Sequence, residues 1–230
     1  MPERKPRGAF VVIEGLDRSG KSTQVALLEQ RFKAEGRPVR LVKFPDRTTP
    51  IGKMIDAYLR SQSEMDDHAI HLLFSANRWE LAPSIIDSLN AGTTVICDRY
   101  AFSGIAFSAA KNKPGMSYEW CRAPDIGLPA PDLTLFLDVS PEKARERGGF
   151  GAERYESADM QERVQHVFER TGVEMGDGSR WFAVDADQEQ GAVTDELWMR
   201  IQPHAQGTER PLQRLWEELD ERVRNSHLYI

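Results

Sequence analysis

Cysteine is nearly absent from this chain, with Cys97 and Cys121 the two it has among 230 residues. That is too few for a disulfide framework and points to a reducing compartment, cytoplasmic or also nuclear. No apolar run is long enough to cross a bilayer, and the basic stretch 1–8 leads into too short an apolar segment for a secretory signal. That stretch reads as a flexible N-terminal arm. Positive charge is not in excess either. With 30 Lys and Arg against 36 Asp and Glu the net charge is −6, so no global field gathers nucleic acid. Any bound phosphate must be held by a local group of donors. His68 and His71 stand three apart on a helical stretch, but no further His or Cys gives metal-ligand spacing, and both read as structural. Cys97 reads as a buried strand residue, and nothing in the sequence activates Cys121. Repeats and low-complexity linkers are missing too. What remains, 40% hydrophobic and 29% charged, is the balance of one globular domain spanning residues 1–230.

The apolar pattern predicts an α/β fold. Residues 9–14 form a short β-branched run ending in glycine, which suits a strand buried on both faces. Val25, Leu27, Leu28 and Phe32 recur at helical spacing over 21–35, with Gly36 as the stop. A second strand fits 39–44, closed by Pro45, and completes a βαβ unit. Further strands fit 93–97, 133–137 and 180–184, ending at Asp98, Asp138 and Asp185. Helices are expected at 51–60, 66–89 (broken or kinked near Pro83), 141–147, 158–170, 192–201 and 211–223. Asp132 reads as a turn residue and Asp138 as a cap for the helix after Pro141. Alternating strands and helices imply a parallel sheet of about five strands with helices on both faces.

Gly15-Leu16-Asp17-Arg18-Ser19-Gly20-Lys21-Ser22 satisfies the phosphate-loop pattern G-x-x-x-x-G-K-[ST], and Thr23 follows. Its glycines let backbone N–H groups turn inward on phosphate oxygens, and the following helix aims its positive end at the same place. Lys21 is then expected at the β- and γ-phosphates and the Ser22 hydroxyl at Mg²⁺. Arg18, inside the loop, is placed to act as an arginine finger supplied in cis. The strand before the loop and the amphipathic helix after it are the context such a motif needs.

An acceptor site in an open α/β sheet lies beyond the carboxyl ends of the strands. Arg47, after Phe44-Pro45-Asp46, and Arg99, in Asp98-Arg99-Tyr100, sit at two such ends. Each is a candidate phosphate ligand or a surface ion pair. Phe74 and Arg78 share a helix face, as a stacking plane and a guanidinium for a base would. Phe74 suits core packing equally well. Asp98 stands where a carboxylate holds Mg²⁺ through water or orients the acceptor oxygen.

With those residues in place, the sequence resembles the eukaryotic-type thymidylate kinases from about Phe10 to Asp185. The resemblance is carried by the phosphate loop through Gln24, by Phe44-Pro45-Asp46-Arg47 and by His71-Leu72-Leu73-Phe74-Ser75-Ala76-Asn77-Arg78-Trp79-Glu80. It continues in Asp98-Arg99-Tyr100 with Ser103, Ala106 and Phe107, in Pro131-Asp132-Leu133, and in Glu153-Arg154-Tyr155-Glu156. It implies the P-loop nucleoside-monophosphate-kinase fold, ATP as donor, Mg²⁺, dTMP as acceptor and a homodimer. It also implies roles: Asp17 near the acceptor 3′-hydroxyl, Arg18 and Lys21 at the transferred group, Arg47 and Arg99 on the acceptor phosphate. Phe74 and Arg78 would take thymine, Tyr155 the sugar, and Phe44 and Phe107 the surrounding pocket. Gly15, Ser19, Gly20, Ser22, Thr23, Arg147 and Asp185 would hold the nucleotide, with Ser22 and Asp98 on the metal. Residues 148–156 match a mobile lid. The chain departs from the pattern at Asp46, where glutamate is frequent, and at Phe107, where many relatives carry tyrosine.

Other P-loop readings fit less well. A regulatory GTPase needs a guanine-reading Asn-Lys-x-Asp, and Asn112-Lys113-Pro114-Gly115 lacks the aspartate. A nucleoside kinase would have no use for the phosphate-binding charge of Arg47 and Arg99.

Overall fold

Every residue of β1 (Phe10–Gly15) is buried, as its β-branched run requires. In the computed structural model, which describes residues 6–147, 154–176 and 180–218, this strand lies at the centre of a five-stranded sheet of order β2-β3-β1-β4-β5. The others are β2 (Val39–Lys43), β3 (Thr94–Asp98), β4 (Leu133–Asp138) and β5 (Trp181–Asp185), and every pairing is parallel. Period-two alternation divides β1 between two cores. Phe10 and Val12 enter one, with Val95 and Cys97; Val11 and Ile13 enter the other, with Leu135 and Leu137. The second face is covered by α1 (Lys21–Ala34), through Val25, Leu28 and Phe32, and by α8 (Gln190–Ile201), through Val193, Leu197 and Ile201. The first is covered by α3 (Asp67–Asn90), α4 (Ala101–Ala109), α5 (Tyr118–Arg122) and α7 (Ala158–Met175). The short α2 (Pro50–Leu59) packs Ile55, Tyr58 and Leu59 on Ile70 of α3, and α6 (Pro141–Glu146) follows β4.

Most expected elements are present within a residue or two. Four readings are corrected. α4 and α5 were not anticipated, because α4 buries Ala101, Phe102, Ile105 and Ala106 on all sides and so shows no amphipathic period. The last helix, expected over 211–223, does not begin at 211: residues 211–216 are not helical, and helix is present at 217 and 218. There the Leu215 N–H donates to the Leu128 carbonyl at 2.8 Å and the Ala130 N–H to that of Gln213 at 2.9 Å, so the segment pairs as extended chain and buries Leu215 and Trp216. Asp138 does not cap α6. Ser140 does, accepting from the Lys143 N–H at 3.2 Å. α3 runs unbroken through Pro83. Residues 1–5, 148–153 and 219–223, which carry most of the expected arm and lid and the end of the expected last helix, lie outside the described residues. No helix among the described residues is long and apolar enough to cross a membrane.

Asp132, read as a turn residue, fastens the lower end of the sheet. Its carboxylate accepts from the Phe10 N–H at 2.9 Å and from both Arg7 terminal nitrogens at 2.7 Å, with both side chains largely buried. Removing it leaves a guanidinium and a strand N–H without their acceptor. Asp132→Ala is expected to lower stability by about 2–4 kcal/mol in denaturant titration, with nucleotide affinity of the folded protein unchanged.

Candidate active site

The chain direction of crossovers reverses about β1, so the crevice opens beyond the carboxyl ends of β1, β3 and β4. A cavity of about 690 Å³ occupies it. One wall is the phosphate loop, from Asp17 to Gln24; the other carries Phe44, Arg47, Phe74, Arg78, Arg99, Phe107 and Tyr155. Arg147 closes the donor end beside Ala186, Gln188 and Gln190. Of the residues expected at a site, two do not line it. Gly15 lies beneath the loop, where its carbonyl accepts from Arg99 at 3.1 Å. Asp185 faces away, its carboxylate accepting from the Asp187 N–H at 2.9 Å, and Ala186 takes the wall position.

The loop turns into α1 at Gly20, whose φ of +93° is a left-handed conformation that side chains rarely tolerate. Lys21 curls back under it, donating to the Leu16 carbonyl and, at 3.1 Å, to Ser19 Oγ. Burial and the neighbouring Arg99 charge bring its ammonium down to about 7, against the opposing pull of Asp17, Asp98 and Glu14. Arg147 reaches across the loop, donating to the Arg18 carbonyl at 2.9 Å and the Ala186 carbonyl at 2.6 Å. Arg18 itself pairs with Glu156 at 3.1 Å.

Ser22 and Asp98 meet at the loop's open end. The Ser22 hydroxyl donates to Asp98 Oδ2 at 2.6 Å. Burial pushes the Asp98 carboxyl up, but Lys21, the Ser22 hydroxyl, Arg99 and Lys43 outweigh it and hold the group below its ordinary value. Arg99 has a left-handed backbone (φ +67°), which turns its side chain back over the loop to Asp17, Ser103 and the Gly15 carbonyl.

On the acceptor wall, Arg78 is buried and forms a bidentate pair with fully buried Asp125, at 3.1 and 2.6 Å. Gly104 makes room for it: a Cβ there would stand 2.7 Å from Arg78 Nη2. Phe74 is half-buried, packing against the cluster of Ile55, Tyr58, Leu59 and Ile70 while it also lines the cavity. Arg47 lines the cavity and also pairs with Asp56 at 2.7 Å. Tyr155 lies 5.7 Å from the Phe107 ring, its hydroxyl 3.3 Å from that of Tyr58.

Several residues that sequence reasoning passed over hold these side chains in place. Gln161 accepts from the Asp17 N–H and donates to its carboxylate and to the Tyr155 carbonyl. Asn77 fixes the Phe44–Arg47 turn, accepting from the Asp46 N–H at 2.7 Å. Glu14, fully buried, accepts from the Tyr100 and Ser103 N–H groups. A carboxylate inside the first apolar strand was the one available signal for Glu14. Asp125 and Gln161 gave none, since both sit in segments that read as ordinary turn and helix.

The thymidylate kinase family model matches residues 13–197. The chain belongs to the thymidylate kinase family. The human thymidylate kinase is 45% identical over 213 residues, 92% of this chain and 98% of that protein. The Arabidopsis thaliana thymidylate kinase is 49% identical over 92% of this chain and 78% of its own length. Among solved structures, thymidylate kinase from Candida albicans superposes with a TM-score of 0.78 at 41% identity, covering 90% of this chain and 98% of that one. The fold expected from the sequence, the P-loop nucleoside-monophosphate-kinase sheet, is therefore the one observed. Polyphosphate held at the loop would favour the charged form of Lys21. Nucleotide binding is accordingly expected to take up close to one proton at pH 8, where the empty site leaves Lys21 mostly neutral, and little at pH 6. Calorimetry in buffers of differing ionisation enthalpy measures this, and Lys21→Met should abolish the uptake.

Proposed function

We infer that this chain transfers the γ-phosphoryl group of ATP to dTMP, giving dTDP and ADP on the way to dTTP, with the residues of the shared cavity in the following roles. The observation that carries the reading is the continuity of that cavity: the phosphate loop and the Arg47, Phe74, Arg78 and Arg99 wall bound one space. Donor and acceptor phosphates would meet between them, where Arg18, Lys21 and Arg99 converge. Two anions repel, and fixed cations offset that repulsion while the loop holds them in line. Lys21 grips the β- and γ-phosphates, and Gly20, Ser19 and Thr23 supply the loop around them. Arg147 covers the adenine end. Arg99 and Arg47 take the acceptor phosphate, exchanging Asp17 and Asp56 for it. Phe74 stacks on thymine, with Arg78 held by Asp125 at the base edge. Asp17, braced by Gln161, takes the 3′-hydroxyl region, and Tyr155 crowds the sugar so that the deoxy form is favoured. A nucleoside kinase reading leaves Arg47 and Arg99 without a purpose.

The donor set near Asp98 suits Mg²⁺. Ser22 Oγ and an ionised Asp98 carboxylate are hard oxygen donors 2.6 Å apart at the cavity wall, and a cationic Lys43 head group already lies against both. When bound there with nucleotide, the ion would neutralise charge on the phosphates. The segment 148–156 would close over the nucleotide as a lid. Its described end is anchored, since Arg154 bonds to the Tyr58 carbonyl and Glu64 and lies over the Tyr58 ring at 4.2 Å. The buried thiols of Cys97 and Cys121 are unpaired, which supports a reducing, cytoplasmic setting.

The chain also acts as a homodimer in this reading. Met54 of α2 and Leu72 and Trp79 of α3 are large apolar side chains left exposed along neighbouring helices. Light scattering should give twice the mass of one chain, and Leu72→Glu with Trp79→Glu should shift it toward monomer. For the chemistry, Arg18→Ala is expected to lower kcat about a thousandfold while the KM for ATP changes little, because its contact strengthens in the transition state. Steady-state kinetics with dTMP saturating test this. An unchanged kcat would reduce Arg18 to a bystander.

A further inference from the structure

Lys43 is the last residue of β2, and parallel pairing sets it in register with Asp98, the last residue of β3. Side chains of registered residues on neighbouring strands leave the same face. The Lys43 ammonium accordingly reaches the loop's open end, donating to Ser22 Oγ at 3.1 Å and standing 3.4 Å from Asp98 Oδ2. Asp98 is almost wholly buried, whereas the Lys43 side chain is 62% exposed. One partner is therefore fixed and the other is a flexible four-carbon stem ending in a compact charge.

The ammonium lies against the two oxygen donors assigned above to the metal. Besides Lys21 and Arg99, which also act on this carboxylate, a tethered cation on a flexible stem occupies both donors before any ligand arrives. A divalent ion and Lys43 cannot hold these donors together without severe like-charge repulsion at contact distance. A free metal ion must expel the ammonium for the sake of two protein oxygens. A metal ion arriving on a polyphosphate brings its own anionic oxygens, and the displaced ammonium keeps anions to face.

We propose that Lys43 is a resident counter-ion that holds the Ser22–Asp98 cation position in the empty enzyme, so that divalent metal enters with the nucleotide and not ahead of it. Lys43 is thus a positioning residue: its ammonium sits on the Ser22 and Asp98 oxygens, and it raises the free-metal concentration at which the bare protein loads. The inference rests on the metal role given to Ser22 and Asp98.

Mn²⁺, followed by electron paramagnetic resonance of the free ion, probes this without turnover. Titrations of the intact chain without nucleotide should show Lys43→Met binding Mn²⁺ about tenfold or more tightly than the unsubstituted protein. Lys43→Arg, which retains the charge, should stay weak. The gap in Mn²⁺ affinity between the nucleotide-free and ADP-bound protein should narrow in Lys43→Met. Adding Asp98→Asn to Lys43→Met should remove the gained affinity. Equal Mn²⁺ affinity in Lys43→Met and the unsubstituted protein would overturn the proposal, as would a gain that survives Asp98→Asn. Failure of the underlying metal assignment looks different: Asp98→Asn alone would then leave Mn²⁺ binding to the ADP complex unchanged. Thermal melting of each variant with and without ADP confirms that it is folded.

Discussion

One buried carboxylate ties the two halves of the site together. Glu14, inside the central strand, accepts from the backbone N–H groups of Tyr100 and Ser103 and from the Ser103 hydroxyl. It thereby does from β1 what a capping side chain would do from within α4, where Tyr100 offers no side-chain cap. Burial raises the Glu14 carboxyl above its ordinary value, opposed by the Ser103 bonds, Arg99 and Tyr100. The turn it anchors is the one in which Arg99 adopts a left-handed backbone. That anchor acts alongside the Ser22 bond to Asp98 and the Arg99 bonds to Asp17 and the Gly15 carbonyl in holding this turn over the phosphate loop.

A second constraint follows from the first. Collecting Arg18, Lys21, Lys43, Arg47, Arg78 and Arg99 around one cavity concentrates like charge where water is scarce. The protein offsets it locally and pair by pair. Asp17 serves Arg99, Asp125 serves Arg78, Asp56 serves Arg47, Glu156 serves Arg18 and Asp98 serves Lys43. These pairs differ in depth, and the difference separates two kinds of cation. Arg78 and Asp125 are buried together and stay together. Arg47 and Arg18 pair across partly exposed side chains, and such pairs are cheap to exchange for phosphate.

Much of this was legible in the sequence because it is written in short-range pattern. The β-branched runs, the phosphate loop and the strand-ending Arg47 and Arg99 each announce themselves within a few residues. What was not legible depends on partners distant in the chain. α4 hides because burial on every side erases its period, and the pairing of 211–216 with 127–130 hides because apolar spacing at Leu212, Leu215 and Trp216 mimics a helix. Asp125 and Gln161 meet Arg78 and Asp17 across 47 and 144 positions of sequence, and no local signal marks either. Asp185, which the resemblance set among the nucleotide-holding residues, accepts from the Asp187 N–H and lies off the cavity wall.

The missing side chain at Gly104 has a consequence for how this pocket can change over evolutionary time. Arg78 lies so close to α4 that its guanidinium occupies the volume any other residue at 104 would need. The two positions are therefore locked into one historical unit. A lineage that acquires a larger residue at 104 must give up or redirect the arginine in the same step, and one that loses the arginine opens a hole which only then permits a side chain. Drift through single, neutral exchanges is closed at this corner of the fold.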